Sequence, residues 1–125
     1  MLNDYYDKYK DKCNIIIIYI NEAHGADIWN IGESAGTINY SHKIIEDRIK
    51  YAKKFSDENK MKITVYCDNM DNEIETKFAA WPVRYYIVSK NVKEGNHKIL
   101  INFIGEPDDS QFDIIKIFNY VDNIN

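Results

Sequence analysis

Glu22 and His24 stand two residues apart, directly after the apolar run Ile15–Ile20. A β-branched run without alternation reads as a strand buried on both faces, as in a parallel sheet. Ligand sites in open α/β sheets gather at the carboxyl ends of such strands. A carboxylate and an imidazole titrating near neutrality at that place can pass a proton to a reacting group. The plainer alternatives are a solvated carboxylate and a loop histidine satisfied by a backbone carbonyl. His42 opens the next helical pattern, where its plain reading is an exposed first-turn residue. Arg84 follows Pro82-Val83 and offers a guanidinium to an anionic group. Its alternative is a strand-surface ion pair with a carboxylate such as Asp68. Trp29 and Trp81 read as core aromatics, and Trp29 could equally line a pocket. Asp47 and Arg48 read as helix-surface charges or a structural pair.

Other chemistries find little support. Cys13 and Cys67 can form one disulfide at most, and their strand-like, apolar contexts favour two reduced core thiols. Cys13 has only Lys10 and Lys12 nearby to favour a thiolate. His24, His42 and His97 are far apart and no C-x-x-C occurs, so no metal is expected. Gly32-Glu33-Ser34-Ala35-Gly36 lacks the Lys-Ser/Thr of a phosphate-binding loop, and there is no G-x-S-x-G elbow.

The elements that must position these groups follow from periodicity. Asp4 to Lys12, with Tyr5, Tyr6 and Tyr9 on one face, reads as the last turns of a helix whose beginning is missing. Asn14 to Ile20 is the first strand. Asn21 to Tyr40 carries Gly25, Gly32 and Gly36 without a period, and reads as an ordered, functional loop. Ser41 is placed to cap a helix running to about Phe55, with Ile45, Ile49, Ala52 and Phe55 on its inner face. Ile63, Val65 and Cys67 alternate with Thr64 and Tyr66 as a second strand. Asn72-Glu73-Ile74-Glu75 resembles a capping box, before a short helix stopped by Pro82. Arg84–Val88 and Lys98–Ile104 are close enough to form a hairpin. Ser110 is placed to cap a last helix carrying Ile114, Phe118 and Val121.

This order, (α)-β-α-β-α-β-β-α, supports an α/β fold with a mixed sheet. The length of 125 residues suits a single domain. Net charge is -4 and the pI about 5.3, which argues against nucleic-acid binding. No apolar run approaches the ~20 residues of a membrane span. The polar N-terminus Met1–Tyr6 reads as neither a signal nor a transit peptide, which leaves the location cytoplasmic or unknown.

Four segments, in order and at plausible spacing, resemble the iodothyronine deiodinase family. Tyr19-Ile20-Asn21-Glu22-Ala23-His24-Gly25-Ala26-Asp27-Ile28-Trp29 resembles its Y-I-E-E-A-H-x-x-D-G-W, with Asn21 and Ile28 departing. Ser41-His42-Lys43-Ile44-Ile45-Glu46-Asp47-Arg48 is similar to N-H-x-x-L-x-D-R. Val65 to Asn72 is similar to V-V-V-D-T-M-x-N, and Ala79 to Ile87 to A-A-x-P-E-R-L-Y-I, with Val83 in place of Glu. The match runs from Tyr19 to Ile87, and the last third agrees only in element order.

The resemblance implies a thioredoxin-like mixed sheet with flanking helices, its first, central strand missing from this chain. The single domain would thus be N-terminally incomplete. It implies reductive removal of iodine from iodothyronines or related iodinated phenols. Glu22, His24 and His42 would move protons, and His24, Trp29 and Arg84 would hold the substrate. The nucleophile, a selenocysteine or cysteine, would lie upstream of this chain, and neither Cys13 nor Cys67 resembles it. No bound cofactor is implied; an external thiol is the expected cosubstrate, a small iodinated aromatic the expected partner, and a homodimer an assembly the family allows. The rival reading is a non-catalytic thioredoxin-like binding module.

Overall fold

The computed structural model describes residues 2–23, 25–28, 39–80, 83–91, 98–105 and 114–124. Among them are four helices and four strands: α1 (Leu2–Tyr9), β1 (Ile16–Tyr19), α2 (Ile45–Glu58), β2 (Thr64–Cys67), α3 (Glu73–Phe78), β3 (Tyr85–Asn91), β4 (Lys98–Gly105) and α4 (Ile114–Asp122). This is a mixed α/β architecture. The chain divides into two compact units, Met1–Trp81 and Pro82–Asn125. None of these helices is long and apolar enough to cross a membrane.

In the first unit β1 and β2 pair in parallel, with Ile16 opposite Thr64 and Tyr19 opposite Cys67. Helix α2 supplies the crossover that parallel strands require and packs on β2. Among the described residues of the unit, Tyr9, Ala52 and Ile63 are the buried hydrophobic ones. Asn3 ties α1 to the turn before β2: its amide donates to the Lys60 carbonyl at 3.0 Å, and its oxygen accepts from the Lys62 amide at 2.9 Å.

Three sequence expectations are corrected here. β1 is not buried on both faces: Ile16 is 54% exposed and its neighbours are half-buried. The cause is pairing along one edge only among the described residues, with α2 lying on β2 instead. Ser41 does not cap α2, which begins four residues later after Ile44, without a side-chain cap. Its hydroxyl and amide both go to Asp27. The Asn72 capping box does not form either. Asn72 lies in the left-handed region (φ 55°) and makes no side-chain cap. The Asp68 carboxylate takes its place, accepting from the amides of Ile74 at 3.0 Å and Glu75 at 2.9 Å in the first turn of α3. An anion at a helix start is favoured both by the hydrogen bonds and by the helix dipole.

In the second unit β3 and β4 form an antiparallel hairpin with Tyr85 opposite Gly105 and Asn91 opposite Lys98, broken by an irregularity between Ile87 and Val88. Helix α4 packs on the hairpin and buries Ile114, Ile117, Phe118 and Val121. Each such side chain contributes about 1.5–3 kcal/mol relative to an exposed one. The expected Ser110 cap and the Trp81-Pro82 stop lie outside the described residues.

Candidate functional site

The polar groups of the first unit converge where β1 ends. Residues 25–28 and 39–41, the two ends of the long loop, are pinned together. Ala26 donates its amide to the Asn39 carbonyl at 2.8 Å, and Asp27 Oδ1 accepts the Ser41 amide at 2.7 Å. The Ser41 hydroxyl and amide hold the Asp27 carboxyl down at about 2. Gly25 makes this approach possible: a β-carbon there would lie 2.9 Å from the Ser41 nitrogen, closer than side chains tolerate.

The loop closure delivers Asn39 and His42 to Glu22. Glu22 Oε2 accepts the Tyr19 hydroxyl at 2.7 Å and the Asn39 amide at 3.3 Å. His42 Nε2 stands 4.0 Å from the same oxygen. The His42 side chain is fully buried, flanked by the rings of Tyr19 at 5.8 Å and Tyr51 at 5.4 Å. Burial, and then the Glu22 hydrogen bond, push the Tyr19 phenol far above its usual range, so it remains a donor. A cavity of about 250 Å³ opens beside Glu22, walled by Tyr19, Tyr51 and Phe55 with Asn39 and Lys54 also lining it.

Behind His42 lies Arg48, 1% exposed. Its Nε donates to His42 Nδ1 at 3.2 Å. Nη1 donates to the carbonyls of Asp68 at 3.1 Å and Asn69 at 2.6 Å, and Nη2 to Asn72 Oδ1 at 2.8 Å. The surface-charge reading of Arg48 is therefore wrong. The face of α2 that turns inward carries Arg48 and Ala52, while Ile49 is 52% exposed. A buried guanidinium is tolerable because it finds acceptors along its whole fork. Burial first, and then the Arg48 charge, hold His42 below the ordinary imidazole range, against the opposing pull of Glu22 and Asp47.

Of the sequence-derived site residues, Glu22 and His42 come together. His24 and Trp29 lie outside the described residues. Arg84 belongs to the second unit, just before β3, and donates from Nη1 to the Val83 carbonyl at 2.7 Å. Sequence reasoning missed Tyr19, Asn39, Arg48 and Asp68. A usable signal existed for Arg48, since it sits between Ile45 and Ala52 on the helical face that must be buried. Both cysteines are free and half-buried, and burial raises both thiols, which disfavours a thiolate. No group of three potential metal ligands occurs among the described residues.

Comparison with known proteins identifies the family. The family model described as iodothyronine deiodinase matches residues 2–103. The type I iodothyronine deiodinase of Xenopus laevis is 32% identical over 88 residues, 70% of this chain and 34% of that protein. The thyroxine 5-deiodinase of Sparus aurata is 33% identical over 81 residues, 65% of this chain and 30% of that protein. The chain spans about a third of the length of these relatives. The matched region contains the Tyr19–Glu22–His42 cluster and the arginine that backs it, and the chain belongs to the iodothyronine deiodinase family.

Proposed function

We propose that this chain is the acid–base and substrate-holding portion of a reductive deiodinase acting on iodothyronines or related iodinated phenols. In that reaction a selenolate or thiolate takes iodine from the ring carbon as iodonium, and the carbon keeps the bonding pair and picks up a proton. A first external thiol then displaces iodide from the selenenyl or sulfenyl iodide, and a second releases the nucleophile as a disulfide forms. The balance is one aryl iodide and two thiols giving the aryl hydride, iodide, a proton and a disulfide. Glu22 and His42 carry the proton, His24 and Arg84 hold the two ends of the substrate, and Trp29 lines its pocket. The nucleophile, selenocysteine or cysteine, lies in a segment upstream of this chain, and the active assembly is a homodimer.

The observation that carries the reading is the cluster at the end of β1, in which His42 is buried and Tyr19 and Glu22 are half-buried. A carboxylate, a neutral imidazole and a phenol sit within one hydrogen-bonding neighbourhood beside a cavity, in the matched region. The thioredoxin-like fold belongs to the same proposal. It is supported by the element order and by β1 being paired along one edge among the described residues. The upstream strand that brings the nucleophile would be the sheet's central member.

The test is iodide release from a labelled iodothyronine with dithiothreitol. The chain alone is expected to be silent, because an acid without an acceptor for iodonium does not break the bond. The chain extended by the upstream coding segment, with its Cys or Sec, is expected to release iodide. Release by the chain alone that is abolished by Cys67→Ser or Cys13→Ser would show the nucleophile to be misplaced. Silence of the extended protein would favour a non-catalytic binding module.

A further inference from the structure

We infer that Arg48 is a positioning residue for the site: it fixes His42 in the neutral form that carries its proton on Nε2 and aims that proton at Glu22. A guanidinium has five donors and no acceptor, and it stays protonated in proteins. The Arg48 Nε to His42 Nδ1 contact of 3.2 Å therefore requires Nδ1 to offer its lone pair. The one ring proton of neutral His42 is then on Nε2. That atom is buried, finds no hydrogen-bond partner among the described residues, and stands 4.0 Å from Glu22 Oε2.

Arg48 is held against release. Three further hydrogen bonds, to the carbonyls of Asp68 and Asn69 and to Asn72 Oδ1, fix its fork from the segment between β2 and α3. The imidazole is held too, between the rings of Tyr19 and Tyr51. A proton on Nδ1 would face the Arg48 N–H, and an imidazolium would put a second cation beside the guanidinium. Among the described residues, the charged and titratable groups facing His42 are Arg48, Asp47 and Tyr51 from α2, Tyr19 from β1 and Glu22 beyond it. Glu22 and Asp47 favour the charged ring, while burial and Arg48 oppose it and prevail. The consequence is directional. The Nδ1 side is closed, so any proton exchanged by the Glu22–His42 pair enters and leaves on the Nε2 side. The tautomer follows from this geometry alone; its use in proton transfer rests on the deiodinase reading above.

The test is nuclear magnetic resonance of the 125-residue chain labelled with ¹⁵N at histidine and arginine. His24→Asn and His97→Asn remove the other two imidazoles, so only His42 contributes. At pH 7 and above, long-range proton–nitrogen spectra are expected to show Nδ1 without a proton and Nε2 with one. Protonation of Nδ1 should begin only at a lower pH than in free histidine. A scalar coupling across the hydrogen bond should link Arg48 Nε to His42 Nδ1, a signature that a merely space-filling arginine would not give. An Nδ1–H tautomer, an imidazolium at pH 7, or absence of that coupling would overturn the assignment. Silence in the iodide assay of the chain extended by its upstream segment, alongside the expected spectra, would sink the deiodinase reading and leave this one standing.

Discussion

Helix α4 buries Ile114, Ile117, Phe118 and Val121, whereas helix α2 buries Ala52 and the guanidinium of Arg48. The first face is held by apolar area, a non-directional force proportional to the surface removed from water. The second is held by four hydrogen bonds of fixed direction, two of them to the buried His42 Nδ1 and Asp68 carbonyl. Apolar faces tolerate exchange among hydrophobes of similar volume. A polar face of this kind tolerates almost nothing, because a buried acceptor left unpaired costs about 1–3 kcal/mol. The difference shows where the molecule has set shape above ease of packing: at the wall behind the Glu22–His42 pair.

The largest effect should come from breaking that wall. Arg48→Met removes the donor from the Asp68 carbonyl, Asn72 Oδ1 and His42 Nδ1, leaves the Asn69 carbonyl only the Asn72 amide, and is expected to cost about 3–5 kcal/mol. Phe118→Leu, a modest volume change on α4, should cost about 1 kcal/mol. Urea unfolding midpoints at unchanged slope measure both. An Arg48→Met protein as stable as the Phe118→Leu protein would erase the distinction between the two faces.

Asp68→Ala should come next. It removes the acceptor for the Asn69, Ile74 and Glu75 amides and unties α3 from the end of β2. The expected loss is about 1–3 kcal/mol. Amide exchange in α3 should rise while that in α4 stays unchanged. Equal changes in both helices would mean that Asp68 acts on the whole chain rather than on one cap.

The smallest effect is a pH dependence confined to the α2 side. His42 is held below its ordinary range in the folded chain. Between that lowered value and the unfolded value of about 6.5, the unfolded chain binds the proton first. Stability from this group is therefore fully present above about pH 6.5 and falls as the pH drops towards the folded value. His42→Ala should flatten that part of the profile, read from unfolding midpoints at a series of pH values. A profile identical in the variant would show that the buried imidazole is not its source.

Sequence periodicity found α4 and β2, where the four inward residues of α4 include all three that spacing picked out and β2 alternates as expected, but it overstated the burial of β1 and of Ile49 on α2. It failed where polar groups do the structural work. Asp68 replaces the expected Asn72 cap because a carboxylate six residues upstream reaches the α3 amides through a left-handed turn that local pattern does not announce. Ser41 is drawn from α2 to Asp27 by the loop closure, a contact 14 residues away in the chain. Glu22 and His42 were legible as chemistry, and the family motif placed them. Tyr19 was hidden as a strand aromatic and Arg48 as a surface charge, since charge reads as exposure until a helical face is counted residue by residue.

The most direct test of the account is the turnover of the chain extended by the proposed upstream nucleophile segment, compared with its His42→Ala and Lys53→Ala forms. Lys53 is an exposed residue paired with Asp57 on the outer face of α2, away from Glu22. Positioned acid–base groups contribute about 10²–10⁴-fold. Iodide release from a labelled iodothyronine is expected to fall by at least about 10²-fold in kcat for His42→Ala, and to stay at the parent rate for Lys53→Ala. A folded His42→Ala protein that releases iodide at the parent rate would contradict the placement of the proton relay at Glu22 and His42.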